Sequence, residues 1–99
     1  MNKRFDELNI NNNIINKEIK YKDGRYVGQV VNGLREGKGI MYWNDGDRYE
    51  GEYRNDKKEG KGIYYYNNGD RRMGDYSDDK PIGKHVTLIK NGDVETTNY

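Results

Sequence analysis

At 99 residues the chain has the length of one small domain. Its 31% hydrophobic content and mean hydropathy of -1.34 leave little apolar material for a conventional core, which argues against a large pocket-bearing enzyme. Lysine and arginine (18) nearly cancel aspartate and glutamate (17), so at a net charge of +1 no strong field draws in nucleic acid or an anionic membrane. Cysteine is absent, which removes disulfides, thiolate metal sites and thiol nucleophiles together.

No apolar run reaches the length of a signal peptide or membrane span, so the expectation is a soluble, cytoplasmic protein, with membrane association as the alternative. Ten tyrosines and 13 glycines argue against wholesale disorder, because disordered charged chains are poor in aromatics.

Residues 1–19 are rich in Asn and Ile. Phe5, Leu8, Ile15 and Ile19 fit one face of a short helix, but the run Asn11 to Asn13 forms helix poorly, so the segment reads as flexible or as a short helix. From residue 20 onward the sequence repeats. Gly28, Gly51 and Gly74 stand 23 residues apart, as do Gly37, Gly60 and Gly83, and Gly46, Gly69 and Gly92. Residues 26–48 and 49–71 are identical at 13 of 23 positions, which marks a stacked array whose units bury their faces against neighbours. Residues 72–94 form a third, degenerate unit.

Each unit reads as two strands. Segments 26–31, 38–43, 48–53 and 61–66 are rich in Tyr, Val and Ile, and Asp45-Gly46, Asn68-Gly69 and Asn91-Gly92 are hairpin-turn dipeptides. The expected fold is all-β, an elongated single-layer antiparallel meander. An odd period keeps equivalent residues on one face only if one connection is even and the other odd, or if a bulge corrects the count. With Asp45-Gly46 as the two-residue loop, Gly28 pairs Ile40 and Tyr26 pairs Tyr42. One face then carries Tyr26, Tyr42, Tyr49, Tyr53, Tyr65 and Tyr76 with Ile40, Ile63 and Val86, and the other carries Met41, Trp43, Tyr64 and Tyr66. The structural glycines are Gly28, Gly37, Gly39, Gly51, Gly60, Gly62, Gly74 and Gly83, some of them giving rings room to lie over neighbouring strands.

The stretch "YEGEYRNDKKEGKG" followed by "NNGD" resembles a MORN (membrane occupation and recognition nexus) repeat. Tyr26, Gly28, Gly37, Gly39, Gly46 and Asp47 fit the motif, as do Tyr49, Gly51, Gly60, Gly62, Gly69 and Asp70. The third unit departs from it, with Arg72 where Tyr is expected and His85 in place of the second Gly of the pair, which suits a terminal cap. The resemblance implies an elongated antiparallel sheet and an adaptor or scaffold role without catalysis.

No catalytic residue, metal site or cofactor is expected, and neither nucleic acid nor a small-molecule substrate. His85, the only histidine, reads as a surface or capping residue. The aspartates at 45, 47, 70 and 93 read as turn formers, and the "GKG" pairs lack the helix and the Lys-Ser/Thr of a phosphate loop. The tyrosine face is the expected site for a protein segment or a second copy, since Tyr carries binding energy at small entropic cost. The alternative is an acidic-lipid contact through Lys38, Lys57, Lys58, Lys61 and Lys84 on the long loops, which nearby acids almost neutralise.

Overall fold

A computed structural model describes residues 14–99. These residues form eight strands: β1 (Ile14–Tyr21), β2 (Gly24–Val31), β3 (Leu34–Trp43), β4 (Arg48–Arg54), β5 (Lys57–Tyr65), β6 (Arg71–Ser77), β7 (Lys80–Leu88) and β8 (Val94–Asn98). They lie in one antiparallel sheet in sequence order, the expected meander. The N-terminal expectation needs correcting at residues 14–19, which belong to strand β1 and pair along β2 from Ile14↔Val31 to Tyr21↔Gly24. The part of that reading covering residues 1–13 lies outside the described residues.

From β2 onward the connections alternate between two types, and they are the reverse of those expected. Asn32-Gly33, Asn55-Asp56 and Asp78-Asp79 are two-residue turns with φ between 50° and 81° at both positions, the geometry that follows the right-handed twist of the flanking strands. Asp45-Gly46 instead sits in a three-residue loop closed by Trp43 N donating to Asp47 O (3.0 Å), with Gly46 at φ +99°. The same closure recurs from Tyr66 to Asp70 and from Ile89 to Asp93.

In β3, β5 and β7 a bulge then inserts two extra residues, so that Gly28 pairs Gly39 while Val30 pairs Arg35. The expected register was off by one: Tyr26 faces Met41, not Tyr42, and Gly28 faces Gly39, not Ile40. A slip of one residue exchanges the faces of every second strand. Tyr42, Tyr65, Ile40, Ile63 and Val86 therefore lie opposite Tyr26 and Tyr49, whereas Met41, Trp43 and Tyr64 join them.

The face of Tyr26 and Tyr49 is packed by its own side chains. Tyr26, Val30, Met41, Tyr49, Tyr53 and Tyr76 are buried, with Ile19, Trp43 and Tyr64 against them. The rings meet edge to face in an unbroken series, Tyr26–Tyr53, Tyr53–Tyr49, Tyr49–Tyr76, Tyr76–His85 and His85–Tyr99, with centroids 4.9–5.6 Å apart. Each such pair is worth ~1 kcal/mol beyond its buried area, which lets one sheet carry a core without a second layer. A Cβ at Gly39 or Gly62 would run into the ring of Tyr26 or Tyr49, so glycine is what allows the rings to lie on the backbone.

The turns also bond to one another across units. On one side Asp56 N donates to Arg35 O (2.9 Å) and Asp79 N to Lys58 O (3.0 Å). On the other, Asn67 N donates to Asp47 Oδ1 (2.8 Å) and Lys90 N to Asp70 Oδ1 (2.9 Å).

Candidate interaction faces

The sequence grouped six tyrosines as one site, and the structure divides them. Tyr26, Tyr49, Tyr53 and Tyr76 are no more than 4% exposed, so a partner cannot reach them without opening the sheet. Tyr26 donates its hydroxyl to Gln29 O (2.7 Å) and Tyr49 to Glu52 O at a longer 3.4 Å. Burial pushes the Tyr26 hydroxyl up to about 12 and raises Tyr49, Tyr53 and Tyr64 as well, so the packed face holds neutral rings. Tyr42 and Tyr65 lie on the other face, each under a guanidinium: Arg25 stands 4.3 Å from the Tyr42 centroid and Arg48 3.9 Å from that of Tyr65.

His85 is not a surface residue: it is fully buried. It sits 23 residues beyond Gly62, at the place where the first two units have a bare glycine, and its ring lies over Gly74. Its Nε2–H donates to Asp75 O (2.9 Å), the carbonyl equivalent to those that accept from Tyr26 and Tyr49. Arg72, at the missing tyrosine's position, bonds instead to the hydroxyls of Tyr76 (3.1 Å) and Tyr99 (2.9 Å). The two departures from the motif thus compensate each other. Tyr99 closes the ring series, and its 23-residue spacing from Tyr53 through Tyr76 is the signal that marks it in the sequence.

The five lysines do not share a surface. Lys58 folds over the packed face, its Nζ 5.1–6.0 Å from the ring centroids of Trp43, Tyr49, Tyr64 and Tyr76, and burial lowers its pKa. Arg35, one period earlier, covers Tyr53 in the same way and pairs with Asp56 at 2.7 Å. Lys57, the first residue of β5, reaches Asp78 (3.0 Å). Lys38, Lys61 and Lys84 form a row on the opposite face, with Glu52 and Asp75 between them. Among the described residues no cluster of three His, Cys, Asp or Glu could hold a metal, and no helix is long and apolar enough to cross a membrane.

That opposite face holds an open groove of about 780 Å³ running across β2 to β6. One wall is apolar, with Val27, Ile40, Ile63 and Met73, interrupted by Glu50, whose carboxylate is held by Arg48 at 2.7 Å. The other wall alternates in charge: Lys38, Glu52, Lys61 and Asp75. Backbone of Gly39, Gly51, Gly62 and Gly74 floors it. Glu52 turns toward the backbone, accepting Lys61 N at 3.3 Å, as Gln29 accepts Lys38 N at 2.7 Å. Register hid this face from the sequence, since Ile40 and Ile63 were placed beside Tyr49.

No curated protein matches the chain. The MORN repeat family model matches residues 26–48 and 49–71, the two units whose tyrosines lie on paired glycines. Such repeats are in general protein- or membrane-interaction modules and form a non-enzymatic family. Residues 26–71 are thus a pair of MORN repeats, set in a single open sheet.

Proposed function

We propose that the chain is a non-enzymatic interaction module whose groove face takes a segment of another protein. The observation that carries this reading is the contrast between the faces: the tyrosine face is filled by its own rings, whereas the groove leaves Val27, Ile40, Ile63 and Met73 accessible beside a charged wall. Apolar surface flanked by polar residues is the composition of a protein-binding site. The binding surface is thus moved from the tyrosines to the aliphatic row one register away. The lipid reading draws less support, because Glu52 and Asp75 interrupt the lysine row and Lys58 is turned to the packed face.

Selection from a displayed random-peptide library tests the proposal. Peptides should enrich on the wild-type chain and lose binding to Ile40→Glu/Ile63→Glu, with circular dichroism confirming that the variant keeps its sheet. Equal enrichment on the variant overturns it. So does a chain that captures no peptide yet floats with phosphoinositide vesicles in a Lys38-dependent way at low salt.

A further inference from the structure

The groove is a repeating surface with a fixed pitch, and pitch selects the backbone that fits it. Equivalent residues on its walls, Ile40 and Ile63 or Lys38 and Lys61, are one two-strand unit apart. At ~4.8 Å between neighbouring strands that separation is ~9.6 Å. A polyproline II chain advances ~3.1 Å per residue and returns to the same face every three residues, ~9.3 Å. A β-strand places its third residue on the opposite face, so its side chains fall out of step with the units.

Pitch also decides against a helix. An α-helix advances ~5.4 Å per turn, so two turns overshoot the ~9.6 Å unit by about 1.2 Å and its ridges drift out of step with the walls. A segment crossing the strands also finds no free ladder to join, because the floor glycines lie inside the sheet, Gly39 pairing Gly51 and Gly62 pairing Gly74. Polyproline II needs no ladder, since its own backbone groups remain solvated.

We infer that the occupant of the groove is a polyproline II segment of another protein, one turn per unit, with an apolar residue and an acidic residue recurring every third position. The inference rests on the groove-face reading above and deepens it. Its three ridges match the site. Apolar residues meet Ile40 and Ile63, acids meet Lys38 and Lys61, and the third ridge faces water. The wall as a whole is balanced, but its lysines recur at the pitch of the ridge, so acids one unit apart meet Lys38 and Lys61 and pass Glu52 and Asp75, which stand on the strands between. Glu52 is directed to the backbone, and Lys61 is 86% exposed with its Nζ 3.8 Å from Asp75, a contact too open to hold it. Lys38 has no ion pair among the described residues.

The probe is a fluorescent peptide of Ile-Pro-Glu triplets, measured by polarisation against the full chain. A peptide of identical composition, permuted to break the three-residue period, serves as the control. The triplet peptide should bind more tightly than the permuted one, and Lys38→Glu/Lys61→Glu should weaken it about five- to tenfold while favouring an Ile-Pro-Lys peptide. Equal binding of triplet and permuted peptides, or no exchange of charge preference in the reversed variant, overturns the inference. If library peptides of other patterns bind and depend on Ile40 and Ile63, the polyproline II assignment fails while the groove-face function stands. If no groove-dependent peptide exists, both fail.

Discussion

The second and third units solve one packing problem from opposite strands. In the second, Tyr49 reaches from β4 over Gly51 and Gly62 and donates to Glu52 O. In the third, β6 supplies Arg72 in place of the tyrosine, and His85 reaches back from β7 over Gly74 to donate to Asp75 O. The array therefore requires a flat ring over glycine and one N–H or O–H donor for the bulge carbonyl, and it is indifferent to which strand provides them.

The largest expected effect comes from ionising the rings together. Tyr26 has a native value of about 12 against an ordinary 10.0, and Tyr49, Tyr53 and Tyr64 shift the same way. The folded chain keeps protons that the unfolded chain releases above pH 10. The stability they contribute is fully present below pH 10 and is lost as pH rises from 10 through 12. Urea midpoints at pH 8, 10 and 11.5, with tyrosinate absorbance followed in parallel, check this; a midpoint unchanged at pH 11.5 contradicts it.

Single substitutions sharpen the comparison of units. Gly62→Ala drives a methyl into the Tyr49 ring and should cost ~2–3 kcal/mol in urea unfolding. Gly83→Ala meets no atom within 4 Å and strains only a φ of +68°, so its cost should be ~1 kcal/mol. Next is the exchange of the two solutions. His85→Gly leaves a void and Arg72→Tyr brings a second ring toward His85, so each alone destabilises. The double variant recreates the second unit's pattern and should recover at least ~1 kcal/mol of coupling in a double-mutant cycle. Additive losses would show that the two positions are independent.

The smallest effect separates the first and second units. Tyr26→Phe deletes a 2.7 Å hydrogen bond and should cost ~1 kcal/mol, whereas Tyr49→Phe deletes one of 3.4 Å and should cost less. Equal midpoint shifts would mean that the carbonyls find water equally well.

The period made the strands and their order legible, because a 23-residue repeat of Tyr-x-Gly and Gly-x-Gly admits few other folds. The faces were not legible, for a chemical reason. Asp45-Gly46 suits a two-residue turn, but a three-residue loop ending in a left-handed glycine accepts the same dipeptide. Asn55-Asp56 and Asp78-Asp79 form the tight turns with no glycine at all, so they read as solvated links. That exchange moved Tyr65 away from Tyr49 and put Tyr64 beside it, and with it the candidate site passed from rings to aliphatics. Strand β1 was obscured by its Asn-rich flank, since asparagine is depleted in strands and ladder pairing with β2 overrides the preference. Of the two readings of His85, surface or cap, the surface one fails because the ring occupies the space over Gly74 that a tyrosine at position 72 would take.

The turn-to-turn bonds give the sheet two hems. Asp56 to Arg35 and Asp79 to Lys58 stitch one border, and Asn67 to Asp47 and Lys90 to Asp70 the other, in addition to the strand ladder between them. Tension applied along the stack is shared by three parallel seams at each junction, so an interior unit cannot slide out by breaking its ladder alone. Unravelling therefore starts at the two outer strands, which have a ladder partner on one side only, and native-state hydrogen exchange should advance from β1 and β8 toward β4 and β5.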